Sequence, residues 1–224
     1  MPTSDPNNIV PILTTIQALQ PRSVLDIGCG FGKYGVLLRE YLDVWNERID
    51  RKSWKVQLVG IDAFAQYRNP IWDYVYQKIY VGEAQKILPT LGDFDLVLIA
   101  DVIEHLEHPE AVELVRLCLK KSPVLVISTP RDFYPQHDLC GNPYEMHRNL
   151  WRREDFPSGF HVQTIPALSC NLFIASREPL DWNTTYLADL RNVLYLRSRY
   201  KLRRLGPLGR PLAMMLRSLN RCLT

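Results

Sequence analysis

An acidic residue followed by three alternating glycines is the first feature of this sequence that could do chemistry. Residues 26–32 read Asp-Ile-Gly-Cys-Gly-Phe-Gly. Glycine reaches backbone angles that are closed to residues with a Cβ atom, so this stretch can approach a ligand closely. A carboxylate at Asp26 would repel a pyrophosphate but would attract an ammonium or sulfonium group. The motif therefore predicts a binding site for a cationic ligand.

The segments on either side of the motif predict a strand–loop–helix unit. Residues 24–27 form a mostly apolar run that is typical of a buried strand in a parallel sheet. Residues 34–45 carry apolar side chains at helical spacing, so backbone N–H groups at the helix start would face the crevice above the strand. A dinucleotide fold would place its third glycine at position 33, where this chain has Lys33. The alternative is a glycine loop that only packs the helix and binds no ligand.

Through the acid and the three glycines, the sequence resembles the class I S-adenosylmethionine (SAM)-dependent methyltransferases. Residues 56–62 read as a second strand, and an acid at its tip can accept both ribose hydroxyls of a nucleoside. The resemblance gives that role to Asp62, and a solvated turn residue is the alternative. It places Glu83 near the adenine amino group, although the family often has the shorter aspartate there. The cofactor contacts that the resemblance implies are Asp26, Gly28, Cys29, Gly30, Gly32, Asp62, Ala63, Phe64, Glu83 and Asp101.

The remaining apolar runs predict an α/β fold. Runs at 78–81, 94–100 and 124–128 read as further strands with helical patterns between them. A final strand pair at 160–165 and 171–176 matches the family's ending, in which the last strand is antiparallel and inserted between the fifth and sixth. We therefore predict a Rossmann-like, seven-stranded methyltransferase sheet with helices on both faces, followed by a basic helical extension.

Histidines near the predicted site are candidates for proton removal. His105 follows the strand at 94–100, and His137 and His147 lie in an irregular stretch at 131–151. An imidazole with a pKa near neutrality is a natural general base for an alcohol acceptor. Long loops inside compact domains are commonly functional, so we expect this stretch to form the acceptor side of the pocket. His147 and His105 are the predicted catalytic residues.

Two of these stretches also resemble the metal-site segments of small-RNA 3′-terminal 2′-O-methyltransferases. In those enzymes carboxylates and histidines bind a divalent ion that activates the ribose hydroxyl. By position, the ligands that the resemblance implies are Asp101, Glu104, His105 and His147. Mixed imidazole and carboxylate ligation suits manganese, iron or zinc, with magnesium as a further candidate. Because Asp-x-x-Glu-His also occurs in methyltransferases without a metal, a metal-free base and a structural cluster stay open.

Charge divides the chain into a catalytic part and a basic tail. The 224 residues carry a net charge of +3, yet residues 177–224 contain ten Lys or Arg and three Asp or Glu. We predict an N-terminal covering helix at 1–20, a methyltransferase domain at 21–176 and the basic helical extension at 177–224. The first segment serves packing or acts as a lid. The extension fits an anionic membrane surface, a nucleic acid, or packing against the domain or a dimer partner.

Composition favours a protein of the cytoplasm. The five cysteines form no Cys-x-x-Cys pair, and no apolar run approaches the ~20 residues of a membrane span. The N-terminus also lacks the order of a signal peptide. We expect a cytoplasmic location, with peripheral contact at the inner membrane surface as an option for the basic tail. The sequence predicts no oligomeric state.

The resemblance implies SAM-dependent O-methylation, and we expect a sugar, a glycolipid or another small metabolite as the acceptor. The partner is then a small molecule or saccharide, and nucleic acid ranks below it. The first alternative is a divalent-metal-dependent RNA ribose 2′-O-methyltransferase. The second is a SAM-fold binding protein without turnover.

Overall fold

A central seven-stranded sheet organises the computed structural model, which describes residues 3–138, 141–166 and 170–180. The strands are β1 (Ser23–Ile27), β2 (Gln57–Asp62), β3 (Lys78–Val81), β4 (Leu96–Ala100), β5 (Val124–Pro130), β6 (His161–Pro166) and β7 (Cys170–Ser176). The helices are α1 (Ile9–Leu19), α2 (Lys33–Leu42), α3 (Pro70–Val75), α4 (Ala84–Ile87) and α5 (His108–Lys121).

The strand order is β3-β2-β1-β4-β5-β7-β6. Strands β1 to β5 pair in parallel, and β7 runs antiparallel between β5 and β6. This arrangement confirms the predicted sheet, including the inserted last strand. Because the carboxyl ends of parallel strands meet at one edge, Asp62 at the end of β2 and Asp101 directly after β4 come to the same side of the sheet.

The core explains why the central strands read as continuous apolar runs. All five residues of β4 are buried, because helices cover both of its faces. Alternate residues such as Ile27 and Ile99 pack with α5 through Leu114 and Val115. The opposite side chains face the layer in which α2 contacts both α1 and α3.

The first helix packs against the domain. Ile12, Thr15 and Ile16 of α1 are buried, and the predicted helix at this position is confirmed. The segment ahead of α1, rather than α1 itself, reaches the main cavity through Thr3 to Pro6.

Residues 181–224, which hold nearly all of the predicted basic extension, lie outside the described residues. The predicted domain division and membrane contact therefore stay predictions. Within the described part of the chain, no helix has both the length and the apolar character needed to cross a membrane.

Candidate active site

The glycine loop turns sharply between β1 and α2. Gly28, Gly30 and Gly32 all have left-handed backbone angles, with φ of 73°, 50° and 87°. The Gly28 and Cys29 N–H groups donate to the Ile61 carbonyl at 2.8 and 3.3 Å. A Cβ atom on Gly28 would lie 2.2 Å from Cγ2 of Val102, so glycine is required there for packing as well as for conformation.

Asp26 lies beneath this loop rather than on the wall of the cavity. Its carboxyl group is buried, and the Tyr76 hydroxyl donates a hydrogen bond to it at 2.6 Å. Burial raises the pKa of Asp26 to about 7, and the hydrogen bond from Tyr76 opposes that shift. The carboxyl group therefore holds the strand that supports the loop, which differs from the direct cofactor contact that the resemblance implies.

Asp62 occupies the predicted position at the tip of β2. Its two carboxylate oxygens accept hydrogen bonds from the Gly30 N–H at 2.7 Å and the Phe64 N–H at 2.9 Å. Burial raises its pKa, while the two N–H donors lower it. Each oxygen keeps a further lone pair, so the carboxylate can also accept hydrogen bonds from a ligand.

One cavity of about 560 Å³ runs along this edge of the sheet, within the size range of small-ligand sites. Eight of the ten predicted cofactor residues line it, and the exceptions are Asp26 and Gly32, which ends the loop just before α2. The eight are Gly28, Cys29, Gly30, Asp62, Ala63, Phe64, Glu83 and Asp101. The geometry and the donor set at this end fit the nucleoside of SAM.

Three predicted residues converge at the other end of the cavity. Ligand atoms of Glu104, His105 and His147 all lie within 4.8 Å of one another. Glu104 is 2% exposed, and neither of its oxygens has a hydrogen-bond partner among the described residues. Burial raises its pKa well above the ordinary value, and the Asp101 charge adds to the rise. The nearby Thr129 hydroxyl opposes the rise without a hydrogen bond of normal geometry.

Backbone carbonyls orient both imidazoles of this cluster. Nδ1 of His105 lies 3.2 Å from the Met146 carbonyl oxygen, and Nδ1 of His147 lies 3.0 Å from that of Tyr134. The two ring centroids are 5.0 Å apart. Burial lowers the pKa of both histidines, while Glu145 raises both. His137, the third candidate base, is exposed and does not line the cavity.

Asp101 lines the cavity but is not part of the three-residue cluster, which corrects its predicted place among the metal ligands. Its carboxylate accepts hydrogen bonds from the Asp5 N–H at 2.8 Å, the Asn8 amide at 3.1 Å and the Ser128 hydroxyl at 2.8 Å. These donors turn it toward the segment that precedes α1.

Sequence patterns alone did not identify a second polar group on the acceptor side. The Tyr67 hydroxyl donates to Glu145 at 2.8 Å, and the buried Asn142 amide donates to the Tyr67 oxygen at 2.9 Å. Tyr67 also contacts the rings of Phe31 and Phe64, with centroids 5.0 and 4.9 Å away. The loop with Tyr67 and the loop with Glu145 are both rich in aromatic and polar residues, and this was the available signal for the contact. No fixed sequence spacing relates the two loops, so the pairing itself could not be predicted.

The fold and this site define a methyltransferase of the SAM-dependent class. The chain matches the family model described as "Methyltransferase domain" over residues 8–169. It belongs to that family, the class I SAM-dependent methyltransferases.

Several solved structures share the fold. The methyltransferase domain of bacterial CtHen1 is 17% identical, with a TM-score of 0.53, over 76% of this chain and 97% of that chain. A SAM-dependent methyltransferase from Archaeoglobus fulgidus is 18% identical, with a TM-score of 0.52, over 75% and 92%. Magnesium protoporphyrin IX methyltransferase from Synechocystis PCC 6803, with bound SAH, is 16% identical, with a TM-score of 0.53, over 76% and 82%.

Proposed function

We propose that this methyltransferase transfers a methyl group to a hydroxyl oxygen of a sugar, a glycolipid or another small metabolite. The observation that carries the proposal is the pair of oriented imidazoles, His105 and His147, at one end of the cavity. A hydroxyl is a weak nucleophile until a base removes its proton, so such an acceptor needs a group of this kind.

The hydrogen bonds of the two histidines set where a proton can go. A carbonyl oxygen only accepts hydrogen bonds, so Nδ1 of each ring carries the proton and Nε2 keeps its lone pair. Burial lowers the pKa of both rings and so favours their neutral forms, which can accept a proton at Nε2. When bound, SAM supplies an electrophilic methyl group on its sulfonium. The residues of this chain position the acceptor oxygen and receive its proton.

The charges around the cavity favour a neutral acceptor. Asp5, Glu83 and Glu145 contribute carboxylates to its wall. Among the described lining residues, the one lysine or arginine is Lys33, whose ammonium donates to the Ser4 carbonyl at 2.6 Å. Carboxylates accept hydrogen bonds from hydroxyls and repel phosphate and carboxylate groups.

Labelled SAM tests this proposal directly. The purified chain is incubated with SAM that carries tritium in its methyl group and with fractionated sugar, glycolipid and polar-metabolite extracts. We expect the label in a methyl ether. His147→Gln should lower kcat by about 10²-fold or more with SAM affinity unchanged. His161→Gln, on the exposed side of β6, is the matched control.

Three outcomes would contradict the proposal in different ways. Label on nitrogen or sulfur would change the reaction, and full activity of His147→Gln would remove the assigned base. SAM binding without transfer to any fraction would favour a binding protein without turnover.

A second candidate function is divalent-metal-dependent ribose 2′-O-methylation of RNA, favoured by the buried Glu104. A buried carboxylate without a hydrogen-bond partner is costly unless a cation balances it. Glu104, His105 and His147 offer one oxygen and two nitrogen ligands, and the Nδ1 contacts are the outer-shell bonds that metal-bound histidines usually make. A divalent ion there would lower the pKa of a bound hydroxyl. A structural neighbour, CtHen1, adds a similarity of fold.

Manganese binding separates the two candidates. Chelator-treated protein is titrated with Mn²⁺ and followed by electron paramagnetic resonance, with 3′-terminal methylation of a short RNA as a second measurement. The metal-dependent function predicts one bound ion per chain, loss of binding in Glu104→Gln, and binding retained in Asp101→Asn. Absence of Mn²⁺ binding, or equal binding by Glu104→Gln, would exclude it.

A further inference from the structure

We propose that Asp101 is a positioning residue that fastens residues 3–8, here called the N-terminal strap, across the cofactor end of the cavity. The inference concerns SAM retention and does not depend on the acceptor. It gives Asp101 a role different from metal ligation and from direct contact with the cofactor.

The contacts of Asp101 support this role first. Two of its hydrogen-bond donors, the Asp5 N–H and the Asn8 amide, belong to the strap, and the third is the buried Ser128 hydroxyl on β5. Asn8 is 1% exposed, and its amide oxygen accepts a hydrogen bond from the Cys170 thiol. That second bond fixes the amide so that its NH₂ group points to Asp101. The strap is thus fixed to the residue that follows β4 and to the start of β7.

A second contact fastens the strap on the other side of the cavity. The Lys33 ammonium, at the start of α2, donates to the Ser4 carbonyl at 2.6 Å. Lys33 directly follows the glycine loop, whereas Asp101 directly follows β4. The strap therefore joins the two segments between which a cofactor would lie, and Thr3 to Pro6 form part of the cavity wall.

The backbone at Asp101 gives a further argument. Its φ of 54° is left-handed, a conformation that costs a non-glycine residue about 1–2 kcal/mol. At this turn the carboxylate accepts its hydrogen bonds from the strap and from Ser128. SAM bound beneath the strap would have to break these contacts, or wait for them to open, before it could leave.

The test exchanges the two partners of the strap contact. In Asn8→Asp, two carboxylates face each other; in Asp101→Asn, the charge is lost. In the double variant the acid and the amide trade places, and the hydrogen bond can form again. The full chain is loaded with tritiated SAM and chased with unlabelled SAM to measure the dissociation rate. Hydrogen exchange of residues 3–8 is measured on the same samples.

We expect Asn8→Asp to raise the dissociation rate about tenfold, a change that corresponds to the loss of one charge-assisted hydrogen bond. The double variant should return within about threefold of the wild type, and strap exchange should follow the same order. Lys33→Met should also speed the dissociation of SAM, because it removes the hydrogen bond between Lys33 and the Ser4 carbonyl of the strap. Asn46→Asp, the same exchange at an exposed position outside the strap and the cavity wall, is the matched control with a small effect.

Unchanged dissociation in both Asn8→Asp and Lys33→Met would overturn the proposal. So would failure of the double variant to recover while its melting temperature equals that of the wild type. If Asn8→Asp does not fold, Asp101→Asn and Lys33→Met decide the result. A failed search for a hydroxyl acceptor would leave this experiment intact, because its probe is SAM alone.

Discussion

The cofactor side and the acceptor side of the cavity satisfy their polar groups differently. On the cofactor side, both oxygens of Asp62 accept backbone N–H groups, and the loop N–H groups meet the Ile61 carbonyl. On the acceptor side, the buried Glu104 carboxyl has no hydrogen-bond partner among the described residues. The first side is complete when the chain folds. The second carries an unfavourable group whose cost a bound acceptor or ion would offset.

The two sides also differ in how the chain assembles them. The glycine loop and the start of α2 are contiguous, whereas His105 and His147 come together from segments about 40 residues apart in the sequence. Backbone bonds dock the second segment, because the N–H groups of Arg148 and Asn149 donate to the Glu104 carbonyl at 2.8 and 3.2 Å. The comparison predicts that substitutions on the cofactor side lower both the free energy of unfolding and the affinity for SAM. Substitutions at Glu104 should instead lower function without lowering stability.

The largest effect is expected for Gly28→Ala. Its φ of 73° is strained for alanine, and the new Cβ would lie 2.2 Å from Val102. We expect a loss of about 3 kcal/mol in the free energy of unfolding, from the left-handed conformation and from overpacking together. Urea unfolding measures this, and calorimetry should show SAM affinity lowered at least about tenfold.

Gly141→Ala is the matched control for that variant. Gly141 has nearly the same φ, 74°, but an added Cβ meets no heavy atom of the described residues within 4 Å. It should lose about 1 kcal/mol, the cost of conformation alone, and keep its SAM affinity. Equal losses in the two variants would show that the contact with Val102 has no energetic role.

This contrast also explains what the sequence could predict. Strand, glycine loop and helix follow one another without a gap, so Gly28 and Gly30 were placed from a local pattern. The role of Asp62 came from the resemblance, as did the sheet topology, which was predicted correctly. Asp26 was placed on the right strand, but the pattern did not indicate that Tyr76, 50 residues later, would bury its carboxyl group.

The acceptor side was predicted by residue type and not by contact. His105 and His147 were chosen because imidazoles suit proton removal, and the fold does bring them together. The resemblance grouped Asp101 with Glu104, yet the three ligand groups that lie together are those of Glu104, His105 and His147, and the Asp101 carboxylate bonds the N-terminal strap instead. Glu145 and Asn142 were missed because their partner, Tyr67, lies in a loop 75 to 78 residues earlier in the sequence.

A pH dependence should follow from Asp26. Its pKa rises from 3.8 to about 7 on folding, so above its unfolded value the folded state holds a proton that the unfolded state has released. Its contribution to stability is present at low pH and falls as the pH rises toward about 7. In the wild type this carboxyl group should lower the free energy of unfolding by about 2 kcal/mol between about pH 5 and pH 7. Asp26→Asn should remove that decrease, as measured by urea unfolding.

Tyr76→Phe tests the same carboxyl group by raising the pKa of Asp26 further. The Tyr76 hydroxyl lowers the pKa of Asp26, so its loss should extend the decrease in stability to higher pH. Parallel stability curves for the wild type and Asp26→Asn would contradict the assignment of the decrease to this carboxyl group.

Glu104→Met should separate stability from function. Methionine has a similar length and removes two buried oxygens that lack partners, so the free energy of unfolding should rise by about 1 kcal/mol. Methyl transfer, and Mn²⁺ binding where the wild type shows it, should be lost. Glu113→Met, at an exposed position of α5, should stay within about 0.5 kcal/mol of the wild type. A destabilised Glu104→Met would mean that this carboxyl supports the fold, and the contrast between the two sides would fail.

The smallest effect concerns Glu83, at the exposed margin of the cofactor side. Its carboxylate pairs with the Lys86 ammonium at 2.9 Å, and the two side chains are 44% and 76% exposed. Exposed pairs contribute little to stability, so Lys86→Ala should leave the melting temperature and SAM affinity unchanged. If Glu83 contacts the adenine amino group, Glu83→Ala should bind SAM several-fold more weakly and lose the preference for SAM over its inosine analogue. If Glu83→Ala and the wild type prefer SAM over the inosine analogue equally, Glu83 serves only in the surface pair with Lys86. The polar contacts to the cofactor would then end at the buried Asp62.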